Sequence, residues 1–419
     1  LVLERTAFTS YSACGMPYFL GGLFDDFEKL IARSPETFRE EYDIDVRTRH
    51  EVIAVDPSNQ RVTIRMGRDK VIQEPYDQLL IATGARPSCP DVPNADAAGI
   101  FGLSTLASGL RVHEFMSTKK PKSAVVVGGG YIGLEMAEAL VRQGLDVSLV
   151  QRSPEVMGTL DPDMGKLVSQ ALRDIGVTLY LEEQLEAFEE KDGAVTAVMT
   201  SRRTLPTDLA ILGMGVQPNA ELATNADIRL GAKGAIEVDS RMRTSTENIW
   251  AAGDCAATVH RLTGQPVYIA LGTIANKQGV VAGTNLSGGD ARFPGVVGTA
   301  VSKICDVEVA RTGLQEKELR NLDINYATAT IKAKTRAGYF PGAGPITVKM
   351  IAERISGRLL GAQIVGVEGA AKRIDIVATA LTAGMTVMDL IDLDLSYAPP
   401  FSPVWDPVQT AARKLVKEI

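Results

Sequence analysis

Residues Ser123 to Val150 read SAVVVGGGYIGLEMAEALVRQGLDVSLV, and their pattern decides the fold. Ala124 to Val127 is an apolar run of strand length, followed by a turn over Gly128 to Gly130. Tyr131 to Gln143 then carries Ile132, Met136 and Leu140 on one helical face, Gly144 stops the helix, and Val147 to Val150 starts a second strand. Gly128, Gly130 and Gly133 stand at GxGxxG spacing where strand passes into helix. The first permits the tight turn, the second lets a pyrophosphate approach the backbone, and the third permits close helix–strand packing. The helix N-terminus faces the phosphate charge. This unit predicts a dinucleotide site. Its second strand ends in Gln151-Arg152, where sites for an unphosphorylated ribose usually place a carboxylate. A guanidinium at Arg152 can pair with a 2′-phosphate, so NADPH is expected to serve at least as well as NADH.

Around this unit the bulk properties set limits. A chain of 419 residues is too long for one core and implies two or three domains. A formal net charge of -7 argues against nucleic-acid binding, which leans on clustered Lys and Arg. No apolar run reaches the roughly 18 residues of a membrane helix. The four cysteines, Cys14, Cys89, Cys255 and Cys305, form no CxxC or CxxxxC pair, so neither a zinc site nor a local dithiol is encoded and no metal is expected. Widely spaced cysteines without a secretory signal fit a reducing cytoplasm.

Residues 77–87, DQLLIATGARP, predict a short buried strand running into a glycine turn. Leu209 to Gly213 and Ile249 to Asp254 are two more apolar strands ending in glycine turns. From about Gly313 the alternating stretches Ala327 to Lys334, Thr347 to Ile351 and Leu359 to Val365 predict an antiparallel sheet, followed by helices over 370–383 and 387–392.

Several of these segments together resemble the pyridine nucleotide-disulfide oxidoreductases, over essentially the whole chain. Thr244 to Asp254, TSTENIWAAGD, is similar to that family's second FAD signature, which implies that Asp254 after Gly253 meets the ribitol of the flavin. Ile81-Ala82-Thr83-Gly84 and the Gly213 to Asn219 turn, with Gly215, resemble the links between the FAD and NAD domains. Ala270-Leu271-Gly272 opens a segment similar to the flavin-side helix. Glu4 falls where the family has a ribose-binding acid. The chain opens on what reads as the end of a buried strand, so the expectation is a first FAD unit shortened by about 30 residues on βαβ dimensions. The implied architecture is α/β: two Rossmann-like domains plus a C-terminal α+β dimerisation domain. The FAD domain spans 1–115 and 240–312, the NAD(P) domain 116–239 and the dimerisation domain 313–419.

Ser10 to Tyr18, SYSACGMPY, resembles the SxxxCGxPY segment of the family's single-cysteine branch, which includes coenzyme A disulfide reductases, NADH oxidases and NADH peroxidases. Phe19 stands where two-cysteine branches carry their second thiol. A thiol at a helix start is expected to have a lowered pKa and to hold its oxidised state as a mixed disulfide or sulfenic acid. Ser396 to Ser402, SYAPPFS, and Gly338 to Gly342, GYFPG, resemble the segments that carry two active-site tyrosines in this branch. The resemblance implies that Tyr339 and Tyr397 of one subunit face Cys14 of the other in a homodimer. The related segment usually reads HAxYYP, and here Arg336 replaces the His. The expected reaction is FAD-dependent reduction of coenzyme A disulfide by NADPH or NADH through a Cys14–coenzyme A mixed disulfide, with Tyr131 gating the nicotinamide. The alternatives are an NADH oxidase or peroxidase cycling Cys14 as sulfenic acid, a coenzyme A persulfide or polysulfide reductase, and, from another class, a non-catalytic NAD(P)H-sensing flavoprotein.

Overall fold

A computed structural model describes residues 1–419. Its centre is a five-stranded parallel sheet in the order Ile100–Gly102, Leu209–Leu212, Ser123–Val127, Asp146–Gln151, Thr178–Leu181. Val127 stands beside both Leu212 and Val150, so three strand ends meet where the Gly128 turn begins. Ala124 to Val127 are all buried, as a parallel strand covered on both faces requires. The expected helix runs Tyr131–Arg142 and packs Leu134, Met136, Ala137 and Leu140 into the main core.

The flanking residues form short parallel ladders. Val2–Glu4 pairs with Val46–Thr48, and Leu79–Ile81 with Ile249–Ala251. The second pairing joins segments far apart in sequence and sets Thr83 and Asp254 at neighbouring strand ends. The opening strand is less buried than its apolar sequence suggests, because Val46–Thr48 is its one paired neighbour and Val2 remains 44% exposed.

The C-terminal sheet has five antiparallel strands in the order Ala300–Ile304, Val307–Gly313, Leu359–Gly366, Pro345–Glu353, Tyr326–Lys334. It therefore begins at Ala300, ahead of the change of texture at Gly313. Its first hairpin escapes a pattern search because Cys305, with φ of 58°, turns the chain in the left-handed region normally signalled by Gly or Asn. Helices Ile374–Ala383, Val387–Ile391 and Pro407–Leu415 cover one face of the sheet. Its middle strand, Leu359–Gly366, is buried throughout, since the other face meets the helix Pro162–Asp174 of the parallel domain. Lys349, 5% exposed, anchors that contact through Asp161 at 3.1 Å, Asp163 at 2.8 Å and Glu316 at 2.5 Å. Burial opposes its charge, but these carboxylates outweigh it and hold the ammonium above the usual lysine range. No helix is long and apolar enough to cross a membrane.

Candidate active site

The glycine loop is built as its spacing demands. Gly128 adopts φ of +104°, and a Cβ on Gly133 would lie 2.0 Å from the Gly128 carbonyl oxygen. Gly130 caps the helix without a side-chain acceptor, which leaves the first N–H groups open to an anion. Gln151 faces inward, its Oε1 accepting a hydrogen bond from the Gly129 N–H at 2.9 Å. Arg152, next in sequence, is exposed. Thus the two residues at the strand tip divide the work: one braces the loop and the other stays free for a ligand. Tyr131, the first helical residue, accepts a hydrogen bond from Thr159 Oγ1 at 3.3 Å, and burial pushes its phenol up.

Cys14 occupies a single 3-10 turn, Ala13–Gly15, which runs into the short helix Met16–Leu20. Buried Met16, Phe19 and Leu20 root that helix in the main core, against the helix Tyr131–Arg142. The thiol retains exposed area, yet its pKa is raised. Desolvation is the largest cause, then the carboxylates of Glu135 and Asp254, against a smaller lowering by its own backbone N–H. The expected lowering is therefore corrected: a five-residue helix has too little dipole to outweigh burial and two acids.

Glu135 is a site residue that the motif search passed over. It follows Tyr131 by one helical turn, and Ser302 Oγ donates to its carboxylate at 2.7 Å. Burial raises its pKa, the Ser302 bond lowers it and Glu138 raises it further. Tyr18 belongs to the same group, pushed up by burial, Glu135, Glu138 and Cys14 in that order. Tyr18, Glu135, Glu138 and Arg142 line a narrow crevice. An acid on the inward part of a mostly apolar helix was the available signal.

On the other side, Gly253 has φ of +80° and donates its N–H to Gln278 Oε1, of a fully buried glutamine, at 2.8 Å. Asp254 follows, its carboxyl pushed up by burial alone, with no partner in the chain to offset it. Thr83 Oγ1 donates to the Asn219 carbonyl at 2.5 Å, and Asn219 Nδ2 returns a bond to the Thr83 carbonyl at 2.8 Å. Gly84 and Gly215, both at positive φ, close this double link. Glu4 Oε1 accepts the Thr6 N–H at 2.6 Å, and Ser10 lies in a two-residue strand paired with Arg33. Next to Ser10, the buried hydroxyl of Thr9 has no hydrogen-bond partner. Ala270 is half-buried ahead of the helix Gly272–Leu286. A lone half-buried carboxyl, an orphaned hydroxyl and glycine turns fit a flavin nucleotide with hydroxyls to share.

The Cys14 thiol thus feels the carboxylates of both Glu135, on the nucleotide-loop helix, and Asp254, after the strand Ile249–Ala251. Tyr339 and Tyr397 sit elsewhere, on neighbouring C-terminal loops joined by the Ala337 N–H to Pro399 carbonyl bond at 3.2 Å. They are 78% and 47% exposed, beside Phe401 at 76% and Trp405 at 46%. A groove of about 570 Å³ between the helix Gly272–Leu286 and residues 292–299 contains none of the expected site residues.

Family models agree with the two-part architecture. Residues 3–279 match the pyridine nucleotide-disulphide oxidoreductase model, and residues 299–407 match the dimerisation domain of the same family. The second match begins at the C-terminal sheet as observed. The chain is 40% identical over 415 residues to the NAD(P)H coenzyme A polysulfide/persulfide reductase of Pyrococcus horikoshii, covering 99% of this chain and 92% of that one. It is 30% identical over 404 residues to the coenzyme A disulfide reductase of Staphylococcus epidermidis, covering 96% and 90%. The reduced CoADR-RHD structure from Bacillus anthracis superposes with a TM-score of 0.96 at 36% identity, over 99% of this chain and 75% of that one.

Proposed function

This chain belongs to the pyridine nucleotide-disulphide oxidoreductases, flavoenzymes that use NAD(P)H, and we propose that it reduces coenzyme A disulfide through Cys14. The observation that carries the reading is Cys14 itself, a free and exposed thiol on the turn Ala13–Gly15, rooted by the helix Met16–Leu20 against the nucleotide-loop helix Tyr131–Arg142. The bound flavin supplies the path for two electrons from the nicotinamide to sulfur. The chain's residues do the rest. Gly128, Gly130 and Gly133 cradle the nicotinamide nucleotide's pyrophosphate, and Arg152 meets a 2′-phosphate. Tyr131 closes over the nicotinamide. Asp254, Thr83, Gly84, Gly215, Gly253, Ala270, Ser10 and Glu4 hold the flavin nucleotide.

Burial and two nearby carboxylates disfavour a Cys14 thiolate. A mixed disulfide, like the neutral thiol, carries no charge at that sulfur and is compatible with this field. Cys14 is therefore suited to rest as a mixed disulfide with coenzyme A. As a thiolate Cys14 attacks coenzyme A disulfide, forming the mixed disulfide and releasing one coenzyme A. Two electrons from NAD(P)H then break the remaining S–S bond, and the second coenzyme A leaves as a thiolate that Tyr339 and Tyr397 of the partner subunit stabilise by donating hydrogen bonds. The functional unit is a homodimer, and the free cysteines fit a reducing compartment such as the cytoplasm.

A second reading, reduction of coenzyme A persulfide, draws support from the higher identity to the Pyrococcus horikoshii enzyme, 40% against 30%. Anaerobic NAD(P)H oxidation separates the readings. Coenzyme A disulfide alone should sustain turnover, and reduction of the purified protein should release coenzyme A detectable by mass spectrometry. Turnover with a persulfide but not the disulfide supports the second reading, and turnover with oxygen alone contradicts both.

A further inference from the structure

We propose that Arg373 is a positioning residue that fixes the spacing between the Tyr339 and Tyr397 hydroxyls. The inference rests on the reading that both tyrosines serve the sulfur of Cys14. Arg373 ends the 3-10 turn Ala371–Arg373, which opens the helix Ile374–Ala383, and its side chain is 9% exposed. Its Nη2 donates to two backbone carbonyls, Thr335 at 2.6 Å and Phe401 at 2.8 Å. Thr335 lies four residues before Tyr339, and Phe401 four residues after Tyr397. A single guanidinium nitrogen thereby joins the two loops that present the tyrosines.

The rest of the fork is fixed as well. Nη1 donates to the Gly369 carbonyl, and Nε donates to Asp406 Oδ2 at 2.9 Å. That carboxylate accepts Ser402 Oγ at 3.1 Å, while its Oδ1 caps the last helix by accepting the Val408 N–H at 2.9 Å. Arg373 is therefore referenced to the helix Pro407–Leu415, and through it both loops are held to a rigid element. All its loop contacts are to main-chain oxygens, so it sets where the loops lie whatever side chains they carry. A lysine can neutralise Asp406 but cannot serve these divergent acceptors at once.

The test compares Arg373→Lys in the wild-type dimer and in the Tyr339→Phe/Tyr397→Phe dimer, both loaded with flavin. In the wild type, kcat with coenzyme A disulfide should fall about a hundredfold, the penalty for a misplaced reacting group. The rate of flavin reduction by NAD(P)H should not change. In the double-Phe background Arg373→Lys should add less than about twofold, since the hydroxyls it positions are already gone. Equal losses in both backgrounds indicate a merely structural role and overturn the proposal, as does an unchanged kcat in the wild type. If Arg373→Lys fails to hold flavin or dimer, Asp406→Asn decides instead: about a tenfold loss confined to the tyrosine-bearing background is expected, and no loss overturns the inference. Tyr339→Phe and Tyr397→Phe variants that keep full turnover sink the underlying reading together with the inference. Impaired Phe variants beside an intact Arg373→Lys sink the inference alone.

Discussion

The glycine loop at residues 127–133 and the tyrosine loops around residues 339 and 397 are two recognition devices built on opposite plans. The first uses main chain: Gly128 and Gly133 bring backbone groups together so closely that a single Cβ would collide with a carbonyl. It is built on one β-α-β unit and closed by Gly213 after the neighbouring strand Leu209–Leu212. The second uses side chains on loops, largely exposed, and fixes them from behind through Arg373. In the proposed reaction its chemistry depends on a surface supplied by another copy. A device made of backbone is fixed by close main-chain packing, whereas a device made of presented side chains needs, in the proposed dimer, both a clamp and a partner.

Each half can be broken separately. The largest effect is expected at the sulfur they share. Cys14→Ser should lower disulfide reduction by at least about a thousandfold, because no other group can carry the oxidised state. The flavin should remain bound and reducible by NAD(P)H in anaerobic stopped flow. Near-normal turnover in that variant contradicts the mechanism. On the loop side, Tyr397→Phe should lower kcat about a hundredfold by removing one donor to the leaving thiolate, with little change in nicotinamide KM.

On the backbone side, Gly133→Ala should cost about 1–3 kcal/mol of stability through overpacking and weaken NAD(P)H binding. Thermal unfolding and nucleotide titration would measure both, and unchanged values in each would refute the close-approach argument. A smaller effect is expected at Arg152. Arg152→Glu should lower kcat/KM for NADPH about tenfold relative to NADH, the size of one exposed charged contact. An unchanged ratio contradicts the phosphate role. The smallest concerns the thiol itself. The Glu135 carboxylate raises the Cys14 pKa, so Glu135→Gln should lower it and move the rise of alkylation rate to lower pH. A move to higher pH, or none, contradicts the assigned field.

The contrast also explains what was readable in the sequence. A parallel strand, three glycines and a helix face form one local pattern, and residues 123–151 fold as that pattern requires. The C-terminal sheet was legible from Tyr326 onward, where strands alternate, but not over 300–313, where Cys305 makes a turn without glycine. Cys14, Asp254, Tyr339 and Tyr397 were found by resemblance, since isolated residues on turns carry no periodic signal. Glu135, Ser302 and Arg373 were missed. Their importance comes from contacts across more than 160 residues for Ser302 with Glu135, and between separate loops for Arg373. The direction of the Cys14 shift was missed for a related reason: a helix start is visible in sequence, but the acids packed near it are not.

The proposed active site is made from two chains, and complementation tests that arrangement most directly. Cys14→Ser and Tyr397→Phe dimers, each impaired, are dissociated, mixed in equal amounts and reassociated. Random pairing makes about half of the dimers mixed. In each mixed dimer one site receives both lesions and the other receives neither, so activity should return to about a quarter of the wild-type value per total site. No recovery in dimers verified as mixed by native mass spectrometry, or full activity in a monomer, would contradict the shared site.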